Sequence, residues 1–520
     1  MNQSALESFA QEARRDLLKQ VELRLTYWIG VEGATATVDT AEHRQFAPQV
    51  KELAAACKSE GRAALIERVA YTWFNRFAAL RFMDANGYHP FGAKVIMPAT
   101  ANETLPELLQ QARAGTLDAD VRACLGNTKT FDDLLAGRIP VEQPDGAVYR
   151  LLLVAVCNYY HRLMPFMFEK IGDATELLLP QDLLTEHSIV HAFRTDLADD
   201  DCRDVEVIGW LYQFYISKKK ESVMARKAAV PKEDIPAVTQ LFTPHWIVRY
   251  LVENSLGRLW LLNRPRSRLR EKMPYFIESE PETAFLKIAK PEDIRLLDPA
   301  CGSGHMLTYA YDLLYAIYEE EGYDAPDIPG LILRHNLYGV EICDRAGALA
   351  AFALFMKARG SDARFFRRLL TGGAELLQPD IISLQDVHFE GDELGAYVRA
   401  LDLGALFDES IIRLLHQFEE AKNFGSLIQP CLNERAIIDA RRAIAAKDLG
   451  GQLFLRDTHI KVLRVLAQAE VLTQRYHVVV ANPPYMGAKQ MDEPLLLFCE
   501  TNYALGFADL FSCFIGCFRV

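Results

Sequence analysis

The stretch Val478-Val-Val-Ala-Asn482-Pro483-Pro484-Tyr485 decides how the chain around it is read. β-Branched residues running straight into proline read as a buried strand that stops abruptly. Each proline fixes φ near about −65°, so the turn that follows is stiff. Asn482 then stands at a strand's carboxyl end, where open α/β sheets bind their ligands. The Asn482 and Pro483 carbonyls can accept hydrogen bonds from an exocyclic amino group, and Tyr485 can stack on the ring that bears it.

Upstream, Ile294-Arg-Leu-Leu-Asp298-Pro299-Ala300-Cys301-Gly302-Ser303-Gly304-His305 reads as a strand, a glycine-containing turn and a helix to about Glu321. Small residues there let backbone approach a ligand beneath a helix N-terminus. The spacing departs from G-x-G-x-x-G, so a dinucleotide is not the natural ligand. The next strand, Leu337 to Ile342, ends at Glu341, which can hold a ribose diol or simply face solvent. A third, Asp380 to Val387, ends at Asp386, which can accept from an adenine amino group or start a turn. Asp298, Glu341 and Asp386 together outline a nucleoside cleft. Ahead of them, Gln240-Leu-Phe242-Thr243-Pro244 opens an amphipathic helix to about Leu262, with Thr243 as N-cap and Pro244 at the first helical position.

A chain of 520 residues, half of them apolar, implies two or more domains with large cores. Residues 1–235 read as mostly helical. Val69, Trp73, Phe77 and Leu80 give an apolar face to the Glu67–Met83 segment, Asp84-Ala-Asn-Gly87 ends it, and Leu151–Phe168 reads as a buried helix. Pro231 and Pro236 mark the boundary to an α/β domain at 236–520. Its stretch at about 400–472 is too long for a structureless loop and is expected to form a helical subdomain near the cleft mouth. A net charge of −13 argues against a generally basic nucleic-acid binder. Any DNA surface is then a local patch or lies elsewhere: Ser217-Lys-Lys-Lys could touch phosphate but reads better as a solvated helix end, and the run Arg264, Arg266, Arg268, Arg270, Lys272 faces either DNA phosphates or solvent. No apolar run has membrane-spanning length, no signal segment opens the chain, and the ten cysteines lack any C-x-x-C pair. A cytoplasmic protein without a metal site is expected.

Phe242-Thr-Pro, Asp298-Pro-Ala-Cys-Gly-Ser-Gly and Asn482-Pro-Pro-Tyr, in that order, resemble the amino-methyltransferases of DNA adenine, in the arrangement of their gamma class. The text Arg68–Met83 and Val207–Ile216 is similar to the methyltransferases of BREX phage-defence systems. The resemblance implies a Rossmann-like methyltransferase sheet and S-adenosylmethionine as cofactor. Phe242, Thr243 and Pro244 would line its methionine end, the turn Asp298, Pro299, Ala300, Cys301, Gly302, Ser303, Gly304 its backbone, Glu341 with Ile342 its ribose, and Asp386 its adenine. Asn482, Pro483, Pro484 and Tyr485 would hold a target adenine flipped from double-stranded DNA. Other phage-defence proteins and a phage inhibitor are the further partners it implies.

Such a sheet has seven strands, of which four can be placed. The later strands and a C-terminal target-recognition domain are therefore expected to lie outside this sequence, leaving the 520-residue chain inactive alone and strand 478–481 as an apolar edge. Two alternatives share the motifs: a protein methyltransferase acting on a glutamine amide, and a non-catalytic, cofactor-loaded recognition subunit that docks defence partners. A restriction–modification fusion is weakened by the lack of a nuclease signature in the helical half.

Overall fold

A computed structural model describes residues 3–31, 40–170, 174–226, 228–278, 282–371, 377–401, 403, 409–447, 449 and 453–518. They form two compact units, Met1–Lys218 with Met356–Leu376, and Lys219–Phe355 with Leu377–Val520.

Every regular element among the described residues of the first unit is helical. The helix expected over Glu67–Met83 runs Arg62–Asn86 and ends at Gly87 in the left-handed conformation (φ 62°). It is buried on all sides from Trp73 to Asp84, not on one face. Two of its buried charged residues are held by hydrogen bonds. Asp84 accepts from the Val95, Ile96 and Met97 N–H groups and from His89 Nε2, while Arg81 donates to the Phe193 and Leu197 carbonyls and to Asp199. The second expected helix lies earlier than Leu151–Phe168. It spans Pro144–His161, starting where proline's missing N–H costs nothing.

The second unit holds a four-stranded parallel sheet in the order β3-β2-β1-β4. The strands are β1 (Leu296–Asp298), β2 (Leu337–Glu341), β3 (Asp380–Ser383) and β4 (Val478–Val479). Parallel sheets need both faces covered. On one face Leu297 and Val340 pack with Leu384, Val462, Val465, Leu466 and Ala469, so the 400–472 insertion is a helical layer on the sheet as well as a structure near the cleft. Its residues 402, 404–408, 448 and 450–452 lie outside the described ones. Toward the other face, Gly339 admits Leu307 of the helix His305–Glu320: a Cβ there would sit 3.1 Å from Leu307 Cδ1 and 2.6 Å from Ile381 Cδ1.

Two strands are shorter than expected. β3 stops at Ser383, because after the Leu384 N–H bonds to the Glu341 carbonyl the chain turns toward the insertion, where Val387 N–H reaches the Phe418 carbonyl. Asp386 thus lies in a loop beyond the strand. β4, like β3, is an outer strand among those described, and Val479 is exposed on it. The helices Glu493–Asn502 and Leu510–Cys517 build a separate core with Val230, Ile235, Leu427 and Met486, against which Ala300 and Ile342 also pack. Among the described residues no helix is long and apolar enough to cross a membrane.

Candidate functional site

The cleft forms at the carboxyl ends of β1, β2 and β4. Leu297 lies opposite Val479, and the Val480 N–H donates to the Leu297 carbonyl at 2.9 Å. The two chains therefore leave the sheet side by side, one as the Asp298–Gly304 turn and the other as Asn482–Tyr485. Phe242 and Thr243 join them. Asn482 Nδ2 donates to Thr243 Oγ1 at 3.1 Å, and the Phe242 ring stacks at 4.1 Å on His305, the first residue of the helix after the turn. Thr243 is not the helix cap expected of it. Pro244 (ψ 136°) takes the cap position, the helix begins at His245, and the buried Thr243 hydroxyl is engaged by Asn482.

The glycine turn is shaped by its own backbone. Cys301 N–H donates to the Val340 carbonyl at 3.0 Å and Gly304 N–H to the Cys301 carbonyl at 2.8 Å. Gly304 has φ 86°, and a Cβ there would lie 3.0 Å from the Ala350 backbone. Gly302, at φ 54°, differs: nothing lies within 4 Å of where its Cβ would be. Gly302 and Ser303 are half-exposed, Cys301 is buried, and Ser426 from the insertion donates to the Pro299 carbonyl.

Two buried carboxyls sit beneath this turn. Asp298 accepts from Ala300 N–H at 3.1 Å, yet burial, with the charge of Glu341 adding, pushes its pKa up to about 8. Glu341 is also raised by burial, opposed by the N–H groups of Cys343, Gly302 and Ile342 and by Gln240. Gly302 N–H reaches Glu341 Oε2 at 2.8 Å, while Oε1 takes the Ile342 and Cys343 N–H groups. The Cys301 thiol is raised by burial and by both carboxyls, which keeps it protonated and unsuited to act as a nucleophile. Gln240 Oε1 is buried without a hydrogen-bond partner. An open cradle at Gly302, with carboxyls that lack a cationic partner and an orphaned amide oxygen among the described residues, fits a small polar ligand bearing positive charge and hydroxyls.

Asp386 is held by Lys422 N–H on Oδ1 at 2.8 Å and by Lys232 Nζ on Oδ2 at 3.0 Å, with Lys232 also bound to Glu420. Burial lowers the Lys232 pKa, and its bonds to Asp386 and Glu420 outweigh that and raise it. At the opposite lip Tyr485 is 55% exposed, and its hydroxyl donates to Asn482 Oδ1 at 3.0 Å. Asn482, Pro483 and Pro484 are half-buried beside it.

Residues 335–517 match the family model described as Eco57I restriction-modification methylase. Over 99% of its length the chain is 37% identical to the "Adenine-specific methyltransferase BrxX" of Escherichia coli O9:H4 (strain HS). Over the same share it is 31% identical to the "Adenine-specific methyltransferase PglX" of Lacticaseibacillus casei (strain Zhang). This chain resembles adenine-specific methyltransferases. It spans 45% of the length of each of these two relatives. The parallel sheet with helices against both faces has the layering of an α/β methyltransferase.

Sequence reasoning did not single out Lys232, Ser426 or His305, and gave Gln240 no role. Each acts through a partner distant in sequence, for example Lys232 on Asp386 or Ser426 on Pro299, and local periodicity carries no sign of such pairs. The basic run is largely paired within its own unit. Arg264 binds Glu321, Arg270 binds Glu278 and Lys272 lies near Glu319.

Proposed function

We propose that this chain supplies the cofactor site and the amine-holding lip of a DNA methyltransferase that transfers a methyl group from S-adenosylmethionine to the N6 amino group of adenine, acting in a BREX-like phage-defence system. The observation that carries the reading is the joining of the Asp298–Gly304 turn to Asn482 through Phe242 and Thr243. When bound, the cofactor supplies an electrophilic methyl group on a sulfonium. The chain's own residues do the rest. Gly302 leaves backbone open to the ligand, Glu341 offers a carboxylate to the ribose, and Phe242 closes the methionine end.

Thr243 fixes the orientation of the Asn482 amide by taking its Nδ2–H, so that Oδ1 is the atom presented to an incoming amine. With the Pro483 carbonyl, Oδ1 accepts the two amino hydrogens and localises the nitrogen lone pair, which planar conjugation otherwise withdraws into the ring. Tyr485, whose hydroxyl covers Asn482 Oδ1 in the free chain, must release it when the amine arrives, and its exposed ring is then free to stack on the base. Adenine has to leave the helix stack to reach such a lip. Catalysis is positioning plus hydrogen bonding at a partly dried site.

Sequencing genomic DNA tests the reading in cells expressing the protein, its Asn482→Ala variant, or neither. Site-specific N6-methyladenine is expected with the wild type alone. Equal methylation with the variant refutes the role of Asn482. Cofactor label found in protein and not in DNA transfers the reading to a glutamine-amide methyltransferase.

A further inference from the structure

On the first unit a cavity of about 280 Å³ is lined by His89, Pro90, Arg359, Arg364, Phe366 and Arg367. Among the described residues three guanidiniums and no carboxylate line it, in a chain whose net charge is −13. Two of them are held in place by contacts with neutral groups. Arg359 lies 4.9 Å over the Tyr88 ring and donates to the Gly87 carbonyl at 3.5 Å, and Arg367 donates to the Pro90 carbonyl at 3.3 Å. Gly360 permits this arrangement, since a Cβ there would lie 2.8 Å from the Tyr88 hydroxyl.

Among the described residues the nearby acids have other partners, although Asp362 also favours the charge of Arg359. Asp362 pairs with Arg368, and Asp84 beneath His89 is taken up by the Val95, Ile96 and Met97 N–H groups and by His89 Nε2. His89 Nδ1 faces the Tyr160 hydroxyl at 2.6 Å, so the imidazole is a fixed wall of the cavity and not a ligand. Burial works against the charge of Arg359, a cost that an anion in the cavity would offset.

Three like charges gathered round one hollow repel each other unless an anion joins them, and the guanidinium fork matches phosphate oxygens two at a time. We propose that this cavity binds a phosphate group, with Arg359, Arg364 and Arg367 as its ligands. The phosphate belongs either to a nucleic-acid backbone or to a free phosphate ester. The site is independent of the methyl-transfer reading, because none of its residues belongs to the cleft.

Isothermal titration of the 520-residue chain with inorganic pyrophosphate, and separately with a short DNA duplex, tests it. The variant is Arg364→Gln/Arg367→Gln, which alters exposed side chains only. Arg15→Gln/Arg203→Gln removes the same charge from other exposed positions of the unit as a control. The cavity variant is expected to lose about tenfold or more in affinity for one probe while the control does not. Loss confined to pyrophosphate identifies a free phosphate ester. Loss for the duplex, with the salt dependence of binding falling by about 0.9 for each phosphate contact removed, identifies the backbone. A wild-type chain that binds neither probe, or a cavity variant that matches the control for both, overturns the proposal.

Discussion

Among the described residues no cation holds the charge of Asp298. Its folded-state pKa of about 8 stands above the ordinary 3.8, so the folded chain keeps a proton that the unfolded chain has released. A shift of that sign stabilises the fold fully below 3.8, and the contribution is lost as pH rises toward and through about 8. Asp298→Asn stays neutral throughout and removes this slope. In thermal melts of the ligand-free chain, the wild-type Tm is expected to fall relative to the variant's by roughly 2 °C or more between about pH 5 and about pH 9. Parallel curves would show that the carboxyl is ionised in the fold. Thr243 is the second test at this scale. Thr243→Val keeps the shape but removes the acceptor for Asn482 Nδ2, so in the active protein kcat is expected to drop about tenfold with KM for DNA little changed. Thr243→Ser should restore it, whereas a purely structural role would lower stability in step with kcat.

The short motifs were legible because their chemistry is local: stiff prolines, small residues at a turn, an acid at a strand tip. What each side chain touches was less so. Thr243 reads as a cap from its neighbours, but its partner is Asn482, 239 positions away. Asp386 reads as a strand-end acceptor, but in the free chain it is bridged by Lys232 and by the Lys422 N–H.

Among the elements, the turn between β1 and the helix His305–Glu320 separates structure from ligand binding. A methyl group at Gly304 meets both a positive φ and the Ala350 backbone, so Gly304→Ala should cost about 2 kcal/mol or more in urea unfolding. At Gly302 the φ is also positive but the space is open, and Gly302→Ala should cost no more than about 1–2 kcal/mol. Equal losses would mean that the cradle is filled by protein. Element boundaries followed the same rule as the side chains. The helix after Gly304 and the strand Leu337–Glu341 agree with their sequence patterns, because the 3.6-residue period and the glycine turn act locally. The displaced helix at Pro144–His161 and the early end of β3 were not legible, since an N1 proline and a contact with Phe418 decided them.

At the scale of the whole molecule, the first unit is helical in its described residues and the second holds the parallel sheet. The return of residues 356–376 to the first unit has no sequence signal, because nothing local marks which core a helix will join. The insertion's role as a sheet-covering layer was equally hidden: its apolar positions, Val462, Val465, Leu466 and Ala469, have a helical period that does not name their partner. At the carboxyl ends of β1, β2 and β4 the second unit is expected to hold S-adenosylmethionine on the Gly302 cradle. Equilibrium dialysis of labelled S-adenosylmethionine against the chain tests it most directly. Saturable binding to one site is predicted, weakened about tenfold or more by Gly302→Val, which fills the cradle, and left intact by Asn482→Ala, which alters the proposed base-holding lip. Absence of saturable binding, or binding that Gly302→Val does not disturb, would contradict the claim.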